Sequence, residues 1–192
     1  MSTTGTTDAR LVRGRGPALG VDVRGLSRAP GALRRLRATV DAPERLGTDV
    51  VAVAEGAPLE LDLRLEGVRE GVLVSGTVRA TATGECARCL EPVAPEVEAD
   101  VQVLYAGGDD APDDDADGDV VTLGGDVLDL GPAVRDAVVL VLPLAPRCDE
   151  DCAGLCDGCG ERLDDLPADH EHRQVDPRLA GLAALLDGQA RA

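Results

Sequence analysis

Six cysteines carry the chemistry this chain can do, and their spacing says what it is. Cys86 and Cys89 form one C-x-x-C pair. Much later come Cys148, Cys152, Cys156 and Cys159, the last two forming a second C-x-x-C. Thiolates at i and i+3 reach one ion only if the backbone between and after them turns tightly. Gly84 precedes the first pair, and Gly154, Gly158 and Gly160 surround the second. This is how a zinc knuckle is written. Tetrahedral zinc needs four nitrogen or sulfur donors. Cys86, Cys89, Cys156 and Cys159 supply them as a first site if a hairpin and the GLCDGCG loop meet in the fold, closing a long loop. Cys148, Cys152, His170 and His172 remain as a second set, and His170 and His172 are the only histidines. An H-x-H on an extended segment puts both rings on one side. Two other readings of this second set stay open. The two thiols can be plain packed or exposed cysteines beside a solvated His pair, or one ion can sit on Cys148, Cys152, Cys156 and Cys159. One to two zinc ions are therefore expected.

Other chemistries fit less well. Dithiol redox catalysis needs a nucleophilic cysteine opening a helix, and Leu90-Glu91-Pro92 opens none. Catalytic zinc keeps one coordination position open beside a general base, whereas a four-cysteine site is closed. The sequence contains no nucleophile elbow and no phosphate loop.

The elements that must position these residues read mostly as strands. Residues 21–26 suggest a first strand and 30–37 a turn or a single helical turn with an Arg face. From 38 to 105 the period is two: Leu59, Leu61, Leu63 and Leu65 alternate with Glu60, Asp62, Arg64 and Glu66, marking one buried and one wet face. The first C-x-x-C falls in a hairpin of this meander. Residues 107–119 are an acidic low-complexity loop without the residue order of a calcium loop. Apolar spacing then predicts a helix over roughly 132–142, with Pro132 in its first turn and Pro143 at its end. Asp176 and Pro177 could start a C-terminal helix carrying Leu179, Leu182, Leu185 and Leu186. The expected fold class is α+β: a predominantly antiparallel sheet with one mid-chain helix, a zinc-knuckle region and a C-terminal helix. The expected organisation is a flexible basic arm over 1–20, a domain over 21–187 with its Cys/His cluster at 146–175, and a tail at 188–192.

Charge narrows the partners. The net charge is −17. Residues 1–37 hold eight Arg against Asp8 and Asp22, a balance of +6, while the remainder carries 11 Arg against 34 acids, a balance of −23. An acidic body disfavours broad binding to a phosphate backbone and favours basic protein partners, with nucleic acid touched through the arm. Arg34, Arg35 and Arg37, and Arg88 between the knuckle cysteines, are the candidate partner-binding residues. Trp and Phe are absent and Tyr105 is the one aromatic, so the core must be Val, Leu and Ala, and a metal cross-link would help it. No apolar run is long enough to span a membrane, and MSTTGTTDAR lacks a secretory h-region. The expected location is the reducing cytoplasm, where thiolates bind metal in preference to forming disulfides.

The order Cys86-Ala-Arg-Cys89-Leu, then Val141-Leu-Pro-Leu-Ala-Pro, then Cys152-Ala-Gly-Leu-Cys156-Asp-Gly-Cys159-Gly, then Asp176-Pro-Arg178-Leu resembles the YceD family over roughly residues 21–187. Members of that family are linked to accumulation of large-subunit ribosomal RNA in bacteria and plastids. Asp157 stands where many members have Pro, and His170-Glu-His172 stands where some carry a short Cys or His pair. The resemblance implies a mostly antiparallel β-fold, a role in ribosome biogenesis and no established catalytic activity. The expected function is a non-enzymatic factor binding ribosomal protein, a large-subunit precursor particle or rRNA. The alternatives are a zinc-dependent nucleic-acid-binding protein and a thiol redox sensor.

Overall fold

The computed structural model describes residues 7–12, 17–106, 120–123, 125–172 and 178. In chain order the elements are β1 (Thr7–Asp8), β2 (Gly20–Asp22), β3 (Leu33–Asp41), β4 (Leu46–Gly47), β5 (Val51–Val53), β6 (Pro58–Gly67) and β7 (Gly71–Thr81). They continue with β8 (Thr83–Glu85), β9 (Pro92–Val93), β10 (Glu96–Ala106), β11 (Val120–Thr122), β12 (Val127–Asp129) and the helix α1 (Gly131–Val141). A six-stranded sheet runs β1-β3-β6-β7-β10-β11, a four-stranded ribbon runs β4-β5-β8-β9, and β12 pairs with β2.

The alternating leucines set the sheet's inner face. Leu59, Leu61, Leu63 and Leu65 on β6 are buried, as are Leu36 on β3, Val74 and Val78 on β7, and Val101, Val103 and Tyr105 on β10. Helix α1 lies against β10 and buries Val134 and Val138, one turn apart. That burial outweighs the poor helix propensity of a Val-Val pair. Tyr105 donates its buried hydroxyl to the Asp129 carbonyl at 2.6 Å, tying β10 to the strand before the helix. The outer face is polar and laced with exposed pairs, such as Arg37–Asp62 at 3.2 Å and Arg79–Glu98.

Three expectations are corrected. The fold is mostly β and not α+β, because α1 is the one α-helix among the described residues. The C-terminal helix expected from Asp176 onward is no part of the described fold: residues 173–177 and 179–192 lie outside it. The main sheet is predominantly antiparallel, with β1 on β3 and β11 on β10 pairing in parallel at its edges. Finally, residues 33–37 are strand, with Leu36 inward and Arg35 and Arg37 outward. Two adjacent arginines hide the alternation there, because Arg34 takes an inner-face position.

Of residues 1–20, Thr7–Asp8 forms β1, and Leu11 bridges to Val21. The acidic loop 107–119 lies outside the described residues. No helix among the described residues is long and apolar enough to cross a membrane.

Candidate metal centre

The ribbon β4-β5-β8-β9 carries the first knuckle at the tip of its β8–β9 hairpin. The Cys86 amide donates to the Glu91 carbonyl at 2.7 Å, and the Leu90 amide donates back to the Cys86 carbonyl at 2.9 Å. The second knuckle repeats this step for step. The Cys156 amide donates to the Glu161 carbonyl at 2.7 Å and the Gly160 amide to the Cys156 carbonyl at 2.7 Å. Each turn closes through a residue in the left-handed region, Leu90 at φ 63° and Gly160 at φ 77°. The repeat is thus the hexapeptide C-x-x-C-x-E, at Cys86–Glu91 and Cys156–Glu161. Gly84 serves another purpose. A Cβ there would stand 2.4 Å from the Val50 carbonyl oxygen, so glycine lets β5 and β8 approach.

The structure gathers all eight expected residues into two clusters, but assorts them differently. Cys86 and Cys89 meet Cys148 and Cys152, while Cys156 and Cys159 meet His170 and His172. Within each cluster the candidate ligand atoms all lie within 4.8 Å of one another. The expected first set of Cys86, Cys89, Cys156 and Cys159 is not brought together, nor is Cys148 and Cys152 with the two histidines. The reason lies in the chain path. The segment leaving α1 meets the hairpin at Ala87, whose amide donates to the Pro146 carbonyl at 2.7 Å. This delivers Cys148 and Cys152 to the first knuckle before the chain reaches the second. His170, whose amide donates to the Pro167 carbonyl at 2.9 Å, then turns back over the second knuckle.

The spacing can be tested against a tetrahedral ion. Donors about 2.3 Å from zinc stand about 3.8 Å apart if both are sulfur, and about 3.6 Å apart for sulfur and imidazole nitrogen. The Cys86 and Cys152 sulfurs are 3.8 Å apart, and those of Cys89 and Cys148 are 3.5 Å apart. The His170 Nε2 is 3.5 Å from the Cys156 sulfur and 3.6 Å from that of Cys159. Disulfides need about 2.0 Å, and all six cysteines are free. The two clusters can each hold a metal ion.

The thiols differ in how they hold protons. Backbone N–H groups of Cys89, Arg88 and Cys148 converge on Cys86 and pull its pKa down to about 6. Cys148 keeps its proton up to about 12, chiefly because its thiol is hydrogen-bonded with that of Cys89. Burial raises Cys152, while the amides of Cys159 and Gly158 lower Cys156. Cys86, Cys89, Cys152 and Cys156 are buried, whereas Cys148 and Cys159 are exposed.

The four arginines singled out from sequence are mostly engaged. Arg88 donates to the Cys152 carbonyl at 2.7 Å, bracing the first cluster. Arg34 donates to the Asp22 and Arg24 carbonyls, and Arg37 pairs with Asp62. Arg35 is exposed and stands opposite Arg64. Sequence reasoning missed Leu155 and Arg162. They bridge to each other beside the second knuckle, and Leu155 packs on Cys86, Cys89 and Cys152. The repeated C-x-x-C-x-E was the signal pointing to that ribbon.

Residues 74–186 match the family described as "Large ribosomal RNA subunit accumulation protein YceD", a span that contains both clusters. Uncharacterized protein Rv2926c of Mycobacterium tuberculosis is 46% identical over 167 residues, covering 86% of this chain and 80% of that protein. An uncharacterized protein of Mycobacterium bovis matches to the same extent. Uncharacterized protein ML1660 of Mycobacterium leprae is 41% identical over 169 residues, covering 86% of this chain and 76% of that protein. No solved structure matches. With its second knuckle, helix and most of the sheet's second half inside the matched span, the chain belongs to the YceD family of large ribosomal RNA subunit accumulation proteins.

Proposed function

We propose that this chain is a non-enzymatic factor of ribosome biogenesis in the cytoplasm. It supports large-subunit rRNA accumulation or processing by binding a ribosomal protein or a precursor particle, on a surface that two structural Zn2+ ions hold in shape. The observation that carries the reading is the family match spanning both knuckles. Sulfur-rich tetrahedral donor sets suit zinc, and four protein ligands per ion leave no open position for hydrolysis.

Charge supports a basic protein as the direct partner. Residues 147–172 carry nine acids against Arg147 and Arg162. Complementary potential of this kind speeds encounter with a cationic partner and repels phosphate. The body's arginines are largely committed: Arg34 and Arg88 to carbonyls, and Arg37, Arg79 and Arg135 to carboxylates. Arg35 is the residue of the basic stretch best placed to touch rRNA. A thiol sensor needs an accessible thiolate; here the thiol drawn down to about 6, Cys86, is fully buried, and the exposed Cys148 is pushed up to about 12.

The test is sedimentation of cell extract from a strain carrying the tagged chain. Co-migration with large-subunit precursors and a lowered large-subunit rRNA level on deletion are expected. Absence of the chain from those fractions, together with normal rRNA levels, would remove the proposed role.

A further inference from the structure

The two clusters differ in charge, and one arginine sits where that difference matters. Four thiolates around a divalent cation leave a net charge of about −2, whereas two thiolates and two neutral imidazoles leave about zero. A doubly negative site needs N–H donors and positive charge around its sulfurs. The backbone amide of Arg88, 3.5 Å from the Cys86 sulfur, is one such donor.

Arg162 belongs by sequence to the neutral second knuckle, yet its guanidinium stands 3.7 Å from the carboxylate of Glu91, which closes the first knuckle. Its Nε is buried and donates to nothing. The carboxylates of Glu91, Asp165 and Asp164 stand 3.7, 3.8 and 3.9 Å from its nitrogens, too far for good hydrogen bonds. Burial works against its charge, but Asp165, Cys89, Glu91 and Cys148 hold it protonated. Two of those four groups are ligands of the first cluster. Its bridge partner Leu155 forms the apolar wall of the same cluster. A buried N–H without an acceptor is costly, and the ionised sulfurs of the neighbouring knuckle are acceptors of the kind it lacks.

Resting on the zinc reading above, we propose that Arg162 is the outer-sphere counter-ion of the Cys86/Cys89/Cys148/Cys152 site, and that the second knuckle holds it there. The two metal sites are then coupled. Assembly of the Cys156/Cys159/His170/His172 knuckle fixes Arg162, and Arg162 strengthens metal retention by the four-cysteine site.

The full chain loaded with two equivalents of isotopically enriched Cd2+ tests this, because cadmium NMR resolves four-sulfur from two-sulfur, two-nitrogen coordination. Each resonance is followed against increasing EDTA. Arg162→Met is expected to weaken retention at the four-sulfur resonance by about 10- to 100-fold, the range for lost outer-sphere partners, and to leave the other resonance in place. Arg162→Lys restores the charge without the Nε donor and should fall between. The double variant His170→Ala/His172→Ala, which dismantles the second knuckle, should weaken the first site as Arg162→Met does. Unchanged four-sulfur retention in either Arg162→Met or the double variant overturns the proposal, as does equal loss in Arg162→Lys and Arg162→Met. Loss of both resonances from Arg162→Met before any EDTA is added marks a general loss of structure and overturns it too. A wild-type chain with no four-sulfur resonance removes the zinc reading itself.

Discussion

Replacing Gly158 by alanine isolates one metal ligand. Gly158 lies between the second knuckle's cysteines, and a Cβ built there stands 2.3, 2.4 and 2.7 Å from Cδ2, Cγ and Cβ of His172. Ordinary contact begins at 3.4 Å, so the ring must retreat by about 1 Å, while metal–ligand distances tolerate only about 0.2 Å. His172 therefore leaves the cluster. The backbone does not resist, because Gly158 is not among the residues at positive φ. Gly160→Ala is the matched control. It meets nothing within 4 Å but sits at φ +77°, so it costs about 1–2 kcal/mol of conformational strain and leaves the ligands alone. Metal per chain after gel filtration and a thermal melt give the readout. Gly158→Ala should fall from two zinc ions to one. Gly160→Ala should keep two and lose roughly 2–8 °C in Tm, at about 2–4 °C per kcal/mol for a chain of this size. Two tightly held ions in Gly158→Ala would refute the placement of His172 as a ligand.

Because Cys86 and Cys156 serve different clusters, Cys86→Ser and Cys156→Ser should each remove one zinc, and metal analysis showing both lost from Cys156→Ser alone would contradict this. Leu90 occupies the left-handed position that Gly160 fills in the sister knuckle, and it is 58% exposed. Leu90→Gly should therefore raise stability by about 0.5–1 kcal/mol in urea melts, the αL relief outweighing the extra unfolded-chain entropy. Burial first, and Asp129 second, raise the pKa of Tyr105. Its contribution is whole below the unfolded value of about 10 and is lost as pH rises toward the folded one. Stability of the wild type should fall above about pH 10, more steeply than that of Tyr105→Phe, and the lone tyrosine's absorbance reports the same titration. Tyr105→Phe should cost about 1 kcal/mol at neutral pH for its lost hydrogen bond.

Much of the sheet was legible because burial writes itself as alternation. Leu59 to Leu65 gave β6, and the hairpin around Cys86 and Cys89 followed from the strands on either side. Pro132 and Pro143 bracketed α1 because proline acts locally. The stretch from Pro30 to Arg37 does not read as strand because Arg34 breaks the pattern. It occupies an inner-face position and spends its guanidinium on two carbonyls, a choice fixed by the neighbouring β2 segment and invisible in a window of eight residues. The parallel pairings of β1 and β11 depend on where distant segments return. The eight metal-ligand candidates were readable one by one from residue type and spacing. Their assortment was not, since pairing like with like, one C-x-x-C with the other, ignores how the chain leaves α1. Cys148 and Cys152 are spaced at i+4, unlike a knuckle, and the turn between them closes through the Cys152 amide and the Asp149 carbonyl at 3.4 Å.

That division of labour predicts what metal removal does. The main core contains no cysteine, while Cys86, Cys89 and Cys152 form a separate small cluster with Val93 and Leu155. Among the described residues, 143–172 contribute no strand, only one isolated bridge and a short 3-10 turn. So little buried apolar area and so few backbone bonds cannot by themselves offset the entropy of ordering this segment. The sheet has an apolar core that does not depend on the ligands. Unfolding should therefore divide into two steps. With a chelator present, hydrogen exchange at the amides of Cys156, Gly160 and Leu163, all bonded within the knuckle segment, should rise by orders of magnitude. The paired amides of β6 and β7 should stay protected. If sheet and knuckle amides lose protection together, the metals are integral to the whole fold and the view of them as local staples on an independent sheet is wrong.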